Sequence, residues 1–179
     1  MIAQLQNLLR QRQGIATIEF ALIFIAMVLM FFATFEVGSG IIVYMKIIDA
    51  ADTVSDLVAQ QTSVASSDFD HLYIAGQLVM QPDTGAGLGL AVASVTFDPN
   101  SGNPTVAWQV TRGGGSLMSD AAAAATGLGS KGDSVIVAQV TYTYNSALHY
   151  FLPTGLAMSS RVFSRPRLVS SIPCVSPCS

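Results

Sequence analysis

Charge is scarce in this sequence. Lysine, arginine, aspartate and glutamate make up 11% of its 179 residues, against about 25% in an ordinary soluble protein. Hydrophobic residues reach 51%, and the mean hydropathy is +0.52. A disordered polyelectrolyte needs the opposite balance, low hydrophobicity with high net charge, and the formal net charge here is only −3. The dense basic patch that marks a nucleic-acid binder is also missing, so no nucleic-acid partner is expected. Cysteine and histidine number two each. That leaves a four-ligand zinc site out of reach unless every one of them converges; no metal and no other cofactor is expected.

The scarcity is most extreme near the N-terminus. No lysine or arginine lies between Arg12 and Lys46, and the only acids there are Glu19 and Glu36. Phe20 to Phe35 (FALIFIAMVLMFFATF) holds one polar residue, Thr34. From Ile15 to Phe35 a helix would run roughly 32 Å, enough to cross the hydrocarbon core of a bilayer. The alternative is a buried helix of a soluble core, but sixteen nearly uninterrupted apolar residues leave no polar face for solvent. Arg10 and Arg12 precede the run in a leader without acids. The excess of positive charge keeps that end cytoplasmic and sends the rest of the chain across the membrane. A secretory signal peptide has a shorter apolar region ending at a small-x-small site, and Phe32-Ala-Thr-Phe-Glu36 offers none.

Glu19 stands at the start of the apolar run, where a carboxylate entering the bilayer costs about 3 kcal/mol on insertion scales. No basic side chain follows within two helical turns. Cleavage after Gly14 would create a partner, the α-ammonium of Ile15, four residues before Glu19 and therefore on the same helix face. Paired within one chain or between staggered neighbours, these charges would set register in a low-dielectric bundle. The bland alternative is an incidental acid at the water boundary of a plain anchor.

Arg10-Gln-Arg-Gln-Gly14, then Ile15-Ala-Thr-Ile-Glu19-Phe20 and an apolar run, resembles the class III signal of type IV pilins. More narrowly, Gly14-x-Ala16-x-x-Glu19-Phe20-Ala21-Leu22, Glu36-Val37-Gly38 and Asp49-Ala-Ala-Asp52-Thr-Val-Ser-Asp56-Leu57 are similar to TadE-like proteins. These belong to the tight-adherence (Tad, or Flp; type IVc) pilus system. Ser164-Arg-Pro-Arg167 resembles that family's closing segment. The resemblance covers residues 10–60 well and the last third loosely. It implies a minor pilin, or pseudopilin, cut after Gly14 by an inner-membrane prepilin peptidase, with Gly14 and Ile15 as processing residues and Glu19 and Phe20 as assembly residues. The implied partners are the peptidase, other Tad minor pilins, the major pilin, the inner-membrane assembly platform and the lipid bilayer. The head would be periplasmic before assembly and at the pilus or cell surface afterwards, in a protein of adhesion. Ile15 departs from the N-methylated phenylalanine common at the first mature position of type IV pilins.

Beyond the membrane run, Gly38-Ser39-Gly40 marks a kink or weak point. Helical character resumes through Ile41–Thr62, with Ile47, Ala51, Val54 and Val58 on an apolar face. Asp49, Asp52 and Asp56 share another face, read as a solvated acidic stripe rather than a cation site. Ser67 is expected to cap a helix to about Met80, with His71, Leu72, Ala75, Leu78 and Val79 on its pattern and His71 a surface or half-buried residue; Pro82 ends it. The vocabulary then turns to strands at Leu88–Phe97, Thr105–Arg112, Ser134–Tyr144 and Ala157–Ser164, the first two forming a hairpin. Ser119–Thr126 reads as a short capped helix. The expected fold class is α+β: a leader at 1–14, a long hydrophobic helix over 15–66, and a head over 67–179 with a four-stranded antiparallel sheet and short helices.

Cys174 and Cys178 lie in a Pro-rich tail (IPCVSPCS). Beyond the membrane a disulfide between them can persist and close a small loop; two free thiols or bonds to another subunit are the alternatives. Catalytic motifs are weak. Asp83-Thr84-Gly85 spells an aspartic-protease triplet without the apolar strands and second carboxylate that chemistry needs. Gly127-Leu-Gly-Ser-Lys131-Gly132 lacks the Gly-Lys-Ser/Thr order of a phosphate loop. No Gly-x-Ser-x-Gly elbow occurs, and His149 has no acid nearby in sequence. An enzyme is not expected. The rival to the pilin reading is an uncleaved single-span anchor whose periplasmic head binds a partner.

Overall fold

The computed structural model describes residues 13–83, 87–146, 148, 150–175 and 178. Helix α1 runs unbroken from Gln13 to Ala59, 47 residues through Gly38-Ser39-Gly40, or about 70 Å at 1.5 Å per residue. Helix α2 follows at Asp68–Val79, then strands β1 (Leu88–Phe97) and β2 (Pro104–Gly113), the single turn α3 (Ala121–Ala124), and strands β3 (Ser134–Tyr144) and β4 (Leu156–Ser164). The α+β class and the four-stranded antiparallel sheet expected from sequence are present, in the order β2-β1-β3-β4.

The sheet buries both faces at its centre, which is why β1 reads as an almost unbroken apolar run. On one face Leu88, Leu90, Val92, Ile136, Ala138 and Val140 meet α1 and α2. On the other, Ala91, Ala93, Val95, Val135 and Val137 are covered by Met118, Ala121 and Ala125 around α3. Pro104 opens β2, an edge strand, where its missing N–H costs no ladder bond. The β1–β2 turn is held by Asp98, whose carboxylate accepts the N–H groups of Asn100 at 2.9 Å and Ser101 at 2.6 Å. These bonds, the one from Ser101 foremost, keep the Asp98 carboxyl below the ordinary carboxylate range.

Two local expectations are corrected. Ser67 precedes α2 but its hydroxyl makes no capping bond; instead Asp68 Oδ2 accepts the N–H of Ala65 at 2.8 Å, fixing the turn from inside the first helical residue. The buried face of α2 is Phe69, Leu72 and Gly76, so Leu78 points outward at 60% exposure. The stretch 119–126 forms only the turn α3, without a side-chain cap, because the Asp120 carboxylate is taken by Arg161 of β4 at 2.8 and 3.0 Å. A tertiary fork outcompetes the local cap.

The C-terminal tail closes the far end of α1. The Arg167 N–H donates to the Ala59 carbonyl at 2.9 Å, and its guanidinium lies 2.8 Å from Asp56. One of the helix's orphan carbonyls is thereby satisfied. Ile172 is buried, and its carbonyl accepts the Trp108 indole N–H at 2.8 Å. Val64 then pairs with the 173–175 stretch through two backbone bonds, Val64 N–H to Pro173 at 3.1 Å and Val175 N–H to Val64 at 2.9 Å.

Candidate functional site: the unburied half of helix α1 and its junction with the head

Helix α1 divides sharply at Glu36. From Ile15 to Phe35 none of its residues is buried, and the large apolar side chains stand out on every side, Ile15 at 58% and Phe20 at 63% exposure among them. From Glu36 onward a single face turns inward: Glu36, Gly40, Val43, Ile47, Ala51, Val54 and Val58 are buried at helical spacing. Among the described residues, the apolar run seen in the sequence therefore belongs to no core. It is long and apolar enough to cross a membrane.

Glu19 and Phe20 sit in the first two turns of this unburied stretch, both exposed. Phe20 stacks on Phe24 with ring centroids 5.7 Å apart. The backbone of Gly14 is already helical, so Ile15 and Glu19 occupy one face a turn apart. No salt bridge among the described residues involves Glu19. Arg10 and Arg12 lie outside the described residues.

Glu36 has an environment that the sequence does not show. The sequence shows it as one of two acids bounding the apolar run; the structure buries it, 2% exposed. Its carboxylate accepts the Ser146 hydroxyl and the backbone N–H groups of Phe151 at 3.0 Å and Leu152 at 3.4 Å. These donors come from the β3–β4 connection, so one side chain pins the nearest part of the head to the helix where its unburied half ends. Gly40, one turn on, lets Leu152 approach: a Cβ there would stand 3.2 Å from Leu152 Cδ1. A crevice of about 330 Å³ opens beside Glu36 between Phe35, Ser39, Tyr144 and Leu148. The available signal was the repeat of apolar positions that begins at residue 36, read backward from Ile47 and Val43.

The other residues singled out are scattered. Asp83 pairs with Lys46 at 2.5 Å, and its carbonyl accepts the Tyr142 hydroxyl at 2.8 Å; Thr84, Gly85 and His149 lie outside the described residues. Asp49 and Asp52 are exposed on α1, while Asp56 is tied to Arg167. His71 is exposed on α2. Cys174 and Cys178 have Cα atoms 6.2 Å apart, a separation that a disulfide spans.

The fold thus defines a class: an α+β head carried on a long helix whose outer half is apolar all round. Residues 14–56, the helix almost from end to end, match the family model described as TadE-like protein. The resemblance read from Gly14, Glu19 and the residues around them extends through the acidic stripe at Asp49–Asp56. No curated protein and no solved structure matches the chain.

Proposed function

We propose that the chain is a minor pilin of a tight-adherence pilus, made as an inner-membrane precursor and cut after Gly14 by a prepilin peptidase. The observation that carries this reading is the glycine–glutamate spacing, Gly14 to Glu19, at the head of an unburied apolar helix in a TadE-like segment. Such a surface needs an apolar environment on all sides. Lipid supplies it before assembly; the helices of other minor pilins and the major pilin supply it in the fibre, reached through the inner-membrane assembly platform. Cleavage gives Ile15 an ammonium next to Glu19, and leaving that pair mismatched strands both charges in low dielectric. The head, periplasmic at first, then faces the pilus or cell surface, and Cys174–Cys178 closes its tail as a disulfide. The role is structural and adhesive rather than enzymatic.

Mass spectrometry of the mature protein tests the processing step. A chain beginning at Ile15 supports it; one beginning at Met1 supports an uncleaved anchor whose head binds a partner. The Glu19→Ala variant tests assembly: normal membrane insertion with loss of pili is expected, and pili at the native level would refute the register role.

A further inference from the structure

The exposed surface of α1 stays apolar beyond Phe35. Val37, Ile41, Ile42, Tyr44 and Met45 are exposed between 44% and 58%, and the next charge that is not buried is Lys46. From Ile15 to Met45 the helix covers roughly 46 Å, more than the ~30 Å hydrocarbon core but close to the 40–45 Å that includes the headgroup layers. Residues 15–35 suffice for the core, and the headgroup layer on that side, about 5–7 Å deep, takes the next turn or so, from Glu36 to about Gly40. The connection between β3 and β4 lies at this height, fixed there by the bonds from Ser146, Phe151 and Leu152 to Glu36 and by Leu152 against Gly40. Of its described large apolar side chains, Tyr150 is 84% exposed and Phe151 47% exposed.

We propose that this connection is a membrane-seated foot of the head, with Tyr150 and Phe151 entering the headgroup layer of the bilayer that α1 crosses. Aromatic rings with one apolar and one polar edge concentrate in that layer. The occupant is lipid because the foot is continuous with the apolar half of α1 and shares its depth. The same contact accounts for the burial of Glu36: a carboxylate at the edge of the bilayer is covered by hydrogen-bond donors of the foot instead of facing lipid. Seating the foot also fixes the tilt of the head on its stalk. The inference rests on the membrane-crossing reading of α1, so its test carries a separate reporter for that span.

The experiment uses the full chain, one copy per nanodisc of phosphatidylethanolamine and phosphatidylglycerol. Trp108, the sole tryptophan and a buried one, serves as an unquenched internal reference. Phe151→Trp reports the foot and Phe31→Trp reports the span. Lipids brominated near the carbonyl end of the acyl chain should quench the Phe151→Trp signal, and lipids brominated near mid-chain should quench Phe31→Trp more strongly. Adding Glu36→Ala should reduce quenching at 151 while leaving that at 31 unchanged. Quenching at 31 with none at 151 overturns the foot and leaves the membrane span standing. Absence of quenching at both positions overturns the span and the foot together. A blue shift at 151 that requires two chains per disc and ignores bromine makes the contact one between copies, which also overturns the proposal. Unchanged quenching at 151 in the Glu36→Ala background overturns the clamp.

Discussion

The backbone N–H of Phe151 donates to the carboxylate of Glu36 at 3.0 Å, joining the last connection of the sheet to the point where α1 leaves its apolar half. Because Ser146 and Leu152 donate to the same carboxylate, removing it strands several donors at once. Glu36→Ala should lower the thermal midpoint of the head in detergent and speed amide exchange at residues 150–152, with Glu36→Gln falling between. An unaltered midpoint and unaltered exchange would show that the connection is held by its apolar contacts alone.

Trp108 makes a second long-range tie. Its indole N–H reaches the Ile172 carbonyl at 2.8 Å, and its ring meets Phe69 edge-on with centroids 5.6 Å apart. Trp108→Phe keeps an aromatic ring but leaves that carbonyl without its donor, a loss of about 1–3 kcal/mol. Chemical denaturation followed by circular dichroism should give a lower midpoint with the slope unchanged. Stability equal to the parent would mean that water replaces the indole.

Gly38 and Gly40 should respond in opposite directions. A Cβ at Gly38 meets nothing within 4 Å, whereas one at Gly40 approaches Leu152 at 3.2 Å and Tyr144 at 3.7 Å. Gly38→Ala removes backbone freedom within a helix and should stabilise by up to about 1 kcal/mol. Gly40→Val wedges the β3–β4 connection off α1, with an overpacking cost of about 1–3 kcal/mol. Thermal midpoints of the two variants, measured side by side, decide it. A Gly40→Val midpoint at or above the parent's would mean that Gly40 is not a contact position, and a lowered Gly38→Ala midpoint would mean that Gly38 has no room for a side chain.

Which parts of this were legible in the sequence follows from the range of the interactions. The face Ile47, Ala51, Val54 and Val58 was readable because helical periodicity is local, and all four are fully buried. The strand Ser134–Tyr144 was readable to its ends because an alternating β-branched run carries its own signal. The caps expected at Ser67 and over 119–126 were misread because capping competes with other partners: the Asp68 carboxylate holds the local turn at Ala65, and Arg161 of β4 takes Asp120. Glu36 looked like one more acid at a membrane edge because its three donors lie more than a hundred residues away. Local patterns fix the elements, while the junction is written in pairs that no window of sequence contains.

The Asp120–Arg161 fork on the outer face of the sheet predicts how stability varies with pH. The Asp120 carboxyl is held below the ordinary carboxylate range, first by the hydrogen bonds from Arg161 and then by its charge, with burial opposing. A carboxyl depressed in the folded state binds fewer protons there than in the unfolded chain. Its stabilisation is therefore complete above the unfolded value, about 3.9, and is lost as pH falls through the folded value. Asp98 acts in the same sense through its turn. Tyr142 acts in the opposite one: burial raises its hydroxyl, so its contribution is complete below about pH 10 and is lost as pH rises through the folded value. Unfolding midpoints of wild type and Asp120→Asn should differ at neutral pH and converge below about pH 4. Because Asp120 is more than half exposed, added salt should narrow the neutral gap. A gap that is constant from neutral to acid would mean that the Asp120 side chain acts through packing, not through its charge.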